Sequence, residues 1–112
     1  MIIEVVRVTV APEDAQAYID AFARARRFLA ASPHCLGFTI NRCLEHPDQF
    51  LLFIEWHDVS GHLAFRATGG YTGYRACVDP FVRSVEVLHY ERATFSAEPA
   101  GDTSPQALHE AP

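Results

Sequence analysis

Lysine is missing from this chain of 112 residues: its nine basic side chains are all arginine, 14 acidic ones oppose them, and the net charge is −5. Phosphate backbones are bound by basic surfaces that displace counterions, so this balance argues against a nucleic-acid partner. Cysteine is scarce as well. Cys35, Cys43 and Cys77 are an odd number with no CxxC spacing, which argues against a disulfide framework or a zinc site and for reduced, small apolar side chains. The six histidines are scattered without HxH or HExxH, and GxGxxG is absent, so neither a metal nor a nucleotide cofactor is expected. No run approaches the ~20 apolar residues of a membrane span, and no basic segment followed by an apolar one opens the chain. No membrane partner is expected, and the expected location is the cytoplasm.

What is present is 49% hydrophobic residues, enough for one domain with one core. The stretch Phe50-Leu51-Leu52-Phe53-Ile54 is apolar without alternation and reads as a strand buried on both faces. Glu55, Trp56, His57, Asp58 and His62 crowd its end, where Ser60 is a candidate N-cap for a helix.

Ile2 to Val10 is rich in β-branched residues with apolar positions of both parities, again a strand covered on both sides. Pro12 begins an amphipathic helix in which Ala15, Tyr18, Ile19, Phe22, Ala25 and Leu29 recur at three- and four-residue steps before Ser32-Pro33. From His34 to Glu45 the pattern alternates, with Leu36, Phe38, Ile40, Arg42 and Leu44 on one face, and His46-Pro47-Asp48-Gln49 supplies a turn into the next strand. Thr68-Gly69-Gly70 interrupts the helix after Ser60, and a second piece runs to Val78 before Asp79-Pro80. Arg83 to Ala93 alternates as a fourth strand, and Thr94 to Pro112 turns to Ala, Pro, Ser, Glu and Gly, a flexible tail by composition. The domain is thus expected over 1–93 and the tail over 94–112.

Strands near 2–10, 35–45, 49–57 and 84–93, with helices near 12–31 and 60–78, make the split β-α-β-β-α-β, ferredoxin-like α+β arrangement, an antiparallel sheet with helices on one face. Strands apolar on both faces then leave one face uncovered, which two copies packed sheet to sheet would close as a homodimer.

Gly37-Phe38, the turn at His46-Pro47-Asp48, the Phe50 to Trp56 strand and the closing Val87-Leu88-His89-Tyr90-Glu91 together resemble the antibiotic biosynthesis monooxygenase domain family of dimeric α/β barrels, over roughly residues 2 to 93. Its quinone-forming members line a pocket between sheet and helices with a tryptophan at the end of the third strand, and Trp56 matches it. Where they can carry a tyrosine six positions later, this chain has His62. Their second-strand histidine is replaced by Arg42, their asparagine by Leu52, and an arginine of the last helix has a counterpart in Arg75. The haem-degrading branch is the poorer match: Val5, Val6 and Arg7 stand in place of its first-strand asparagine and Phe65 in place of its tryptophan, with no histidine between His62 and His89.

The resemblance implies cofactor-independent oxidation of an aromatic polyphenol, anthrone or hydroquinone to a quinone, in secondary metabolism, with O2 as the second substrate. Such chemistry needs a dry aromatic pocket, a base and a group for the developing oxyanion. The expected base is His62, with Arg42 or Arg75 holding the anion and Trp56, Phe38, Ile40, Leu52, Ile54, Phe65, Tyr71 and Tyr74 lining the ring site. Each has a plainer reading. Trp56 packs cores, His62 can lie exposed on a helix, and Arg42 can run out to solvent or pair across the hairpin with Glu55, against which strand parity counts. His57, of opposite parity to Trp56, is expected at the dimer face. A non-catalytic dimeric module that binds a hydrophobic small molecule, or assists a partner enzyme, fits the same residues.

Overall fold

The computed structural model describes residues 1–93; the tail expected over 94–112 lies outside the described residues. Four strands, β1 (Ile2–Val10), β2 (Cys35–Arg42), β3 (Gln49–Trp56) and β4 (Val82–Glu91), form one antiparallel sheet in the order β2-β3-β1-β4. Short 3-10 turns precede α1 (Ala15–Ala30) and β4, and α2 (Val59–Arg66) and α3 (Gly69–Val78) connect β3 to that second turn. This is the expected ferredoxin-like order, with the second helix divided at Thr68. The Thr68 side chain accepts the Tyr71 N–H and caps α3, satisfying a donor that a first helical turn leaves orphaned.

The helix-facing side of the sheet is built from one parity. Val6, Val8 and Val10 of β1 and Phe50, Leu52, Ile54 and Trp56 of β3 are buried against Tyr18, Phe22 and Leu29 of α1, Phe65 of α2 and Val78 of α3. Alanines 15, 21 and 25 on the buried stripe of α1 keep the helix close to the sheet. The opposite parity, Ile3, Val5, Leu51 and Phe53, lies on an open face with Tyr90. Strands expected to be covered on both sides are therefore covered on one side within a single chain.

Three local expectations change. Asp58, not Ser60, is the N-cap of α2: its carboxylate accepts the Gly61 N–H at 2.8 Å and the Ser60 hydroxyl at 2.7 Å, which holds its pKa below the usual carboxylate range. The charged acceptor satisfies two donors where a serine would satisfy one. β2 stops at Arg42, three residues early, because Cys43 already bonds back to Gln49 across the turn. A bulge between Cys35 and Gly37 sets Cys35 opposite Trp56, so Leu36 leaves the parity of Phe38 and is exposed.

Candidate active site

Glu4 is the residue that the β1 pattern does not explain. It shares the parity of Val6 and Val8 and is buried, and a carboxylate there must find donors. It has them. The Trp56 indole Nε1 donates to Glu4 Oε1 at 3.0 Å, and His62 Nε2 lies 3.4 Å from the same oxygen. His62 stacks on the Trp56 ring, with centroids 4.9 Å apart and planes at 21°. On its other side His62 Nδ1 is 2.9 Å from His89 Nε2. Strand register accounts for this meeting: Glu4 pairs with Ile54 on one side and His89 on the other, and the Asp58 cap starts α2 so that its first turn hangs over them. Gly61 lets that turn settle, since a Cβ there would come within 2.8 Å of the His34 Cβ.

Burial sets the electrostatics. His62 is pushed down from 6.5 to about 4, first by desolvation and then by the charges of His89 and Arg66, so it is a neutral imidazole at physiological pH. Desolvation likewise pushes the Glu4 carboxyl upward. Between about pH 6.5 and 4 the unfolded chain protonates His62 before the folded one does, so His62 makes stability fall as pH falls across that window. Glu4 acts in the opposite sense, because its folded form holds a proton more readily. Urea unfolding of the native chain is expected to lose on the order of 2 kcal/mol on acidification through this window, with a shallower loss in His62→Gln; equal slopes would place His62 in water.

Glu4, Trp56 and His62 form one end of a cavity of about 140 Å³ between the sheet and α3, lined also by Ile54, Phe65, Tyr71, Tyr74 and Arg75 and by Val6, Val85 and Val87. Its β4 side is open, since Val85 and Val87 are 55% and 42% exposed. A cavity of this size holds a benzene-sized ring. Burial pushes the Tyr74 hydroxyl far above its ordinary pKa. At the rim Arg75 donates through Nε to Asp79 Oδ1 and through a terminal nitrogen to the Tyr71 hydroxyl, both at 2.6 Å.

Seven of the expected site residues thus share one cavity: Trp56, His62, Ile54, Phe65, Tyr71, Tyr74 and Arg75. Four do not. Arg42 has the right parity but pairs with Phe50 at the far end of the sheet, six residues or about 20 Å along the strand from Trp56, and its Nε is spent on the Pro47 carbonyl at 2.7 Å. The geometry gives it no anion to share with His62. Leu52 is wholly buried core, and Phe38 and Ile40 pack on that core from edge strand β2, opposite Ile54 and Leu52 of β3, without lining the cavity. His57 is exposed, and its backbone N–H reaches the His34 carbonyl. Sequence reasoning misses Glu4 and His89. An acid on the buried parity of β1 is the available signal for Glu4, whereas His89 emerges only from the β1–β4 register.

The fold has solved relatives. An antibiotic biosynthesis monooxygenase-type protein from Bordetella bronchiseptica superposes with a TM-score of 0.78 at 23% identity, covering 82% of this chain and 96% of that one. SnoaB, a cofactor-independent oxygenase from Streptomyces nogalater, solved as a mutant, gives 0.75 at 18% identity, over 88% and 97%. A conserved protein from Methanosarcina mazei gives 0.72 at 17%, over 83% and 94%. No curated protein matches the chain in sequence. The family model for antibiotic biosynthesis monooxygenases, however, matches residues 1–77, from Glu4 through Trp56 and His62 to the end of the α3 wall, and the chain belongs to that family.

Proposed function

We propose that the protein is a cofactor-independent monooxygenase that converts an electron-rich phenol to a quinone, with one aromatic ring seated against Trp56. The observation that carries this reading is the neutral, buried His62 held between Glu4 and the exposed His89 on the wall of an apolar cavity. With Nδ1–H directed at His89 Nε2, His62 keeps Nε2 as the acceptor on the Glu4 side; a proton taken from a bound phenol at Nε2 is matched by the Nδ1 proton leaving through His89 to water. The phenolate passes electrons to O2; a carbon–oxygen bond forms para to the hydroxyl, the ring C–H proton leaves, and O–O cleavage releases water. The balance closes on one phenol and one O2 giving one quinone and one water. The ring gains one oxygen atom and loses two hydrogens, so the substrate itself supplies all the electrons that reduce O2. Arg75 donates to the Tyr71 oxygen and so leaves the Tyr71 proton free for the developing oxyanion.

The size of the cavity selects one ring, and the fused rings of an anthrone would extend past Val85 and Val87. Oxygen uptake by chelator-treated protein with single-ring phenols and polyphenols that keep a C–H para to a hydroxyl tests the reading. One O2 consumed per quinone formed is expected, with an acid limb of kcat near pH 4, where His62 becomes charged, instead of near 6.5. Trp56 fluorescence quenched by the ring with no oxygen uptake would make the protein a binding module instead.

The open sheet face supports a homodimer. Phe53, Leu88 and Tyr90 are 38%, 48% and 50% exposed there, beside Ile3, Val5 and Leu51, and two such faces bury one another. Light scattering is expected to give twice the chain mass for the native protein and a single mass for Phe53→Asp; a native monomer at micromolar concentration would overturn the arrangement.

A further inference from the structure

Three residues far apart in the chain, Glu4, His62 and His89, converge from β1, α2 and β4, and one donor atom of each lies within 4.8 Å of the other two. We infer that they form a binding site for one divalent first-row transition ion, held by two imidazole nitrogens and a carboxylate. Two nitrogens bonded to one ion at about 2.1 Å stand roughly 3.0–3.4 Å apart, and His62 Nδ1 and His89 Nε2 are already 2.9 Å apart. The carboxylate must close by roughly 1–2 Å to reach the same ion, a movement within reach of the rotatable glutamate side chain.

The surroundings are those of a ligand set. Trp56 Nε1 holds Glu4 Oε1 at 3.0 Å, the outer-shell support that orients a ligating carboxylate. Glu4 and His62 are buried while His89 is exposed, which gives an ion an entry path from solvent. Two imidazoles and one carboxylate suit zinc, cobalt or iron(II) in preference to magnesium or calcium, which take oxygen ligands. Such an ion occupies the nitrogens through which the proposed relay moves its proton, so it inhibits the metal-free reaction. Binding itself does not depend on that reaction.

The test is titration of the chelator-treated protein with Co2+, read by visible absorption and by quenching of Trp56, the only tryptophan, which stacks on His62. Saturation at one ion per chain, reversal by EDTA and displacement by Zn2+ are expected. His89→Gln changes an exposed side chain and keeps the fold; it should weaken binding by more than the roughly 10–100-fold that outer-shell changes cost, as should Glu4→Gln, whereas His57→Gln should bind normally. Quenching that never saturates, or saturation unchanged in His89→Gln and Glu4→Gln, overturns the site. Oxygen uptake by ion-free protein, measured separately, decides the monooxygenase reading.

Discussion

His62→Ala is expected to lower turnover of a phenolic substrate by about 10²–10⁴-fold, the range for loss of a general base, while ring binding changes only severalfold. The two effects separate because the ring's contacts come from Trp56, Phe65 and the valines of β1 and β4, whereas the proton has to pass through an imidazole whose nitrogens meet Glu4 and His89. Binding is read from Trp56 fluorescence and turnover from oxygen uptake, so a fall in kcat with a nearly constant dissociation constant is the signature. His62→Gln fills more of the space over Trp56 and guards against a variant that merely unfolds. His89→Gln should lose less, since water can replace an exposed relay member. Full turnover in both His62 variants would remove His62 from the chemistry.

Trp56→Ala should nearly abolish the folded state. The indole is completely buried, touching His62 and Phe65 at centroid distances of 4.9 and 5.4 Å, and truncating such a side chain costs about 3–5 kcal/mol in transfer and cavity terms. Its Nε1 is also a donor to the buried Glu4 carboxylate, and leaving that group unpaired adds about 1–3 kcal/mol. The sum rivals the roughly 5–15 kcal/mol that holds a whole domain. Trp56→Phe keeps most of the packing and loses the hydrogen bond, so urea unfolding should place it between the native chain and Trp56→Ala. If Trp56→Ala costs under about 1 kcal/mol, the indole is not the support of the site.

The fold was readable because its signals are local. Val6, Val8 and Val10 alternate with the open-face residues, the α1 stripe repeats every three to four residues, and Thr68-Gly69-Gly70 breaks the second helix where the periodicity lapses. Trp56 and His62 were readable as a pair because one ends a strand and the other begins the helix that folds back over it. Arg42 misled because parity fixes the face of a residue but not its distance along the strand. The Glu4–His89 contact was hidden for a related reason. It joins the first strand to the last through a register set partly by the bulge at Thr9/Val10, and no local pattern announces a bulge. A metal-ligand set drawn from Glu4, His62 and His89 likewise has no sequence spacing to recognise.

The location of the bound ring is the direct test of the site. Valine methyl groups mark the two candidate surfaces: Val6, Val85 and Val87 line the cavity, whereas Val5 lies on the open sheet face. Methyl NMR of valine-labelled protein, titrated under anaerobic conditions with a single-ring phenol, should show ring-current shifts of Val6, Val85 and Val87 together with quenching of Trp56, and an unmoved Val5. Shifts confined to Val5, or none at saturating ligand, would contradict the assignment of the Glu4–Trp56–His62 cavity as the place where this protein handles its substrate.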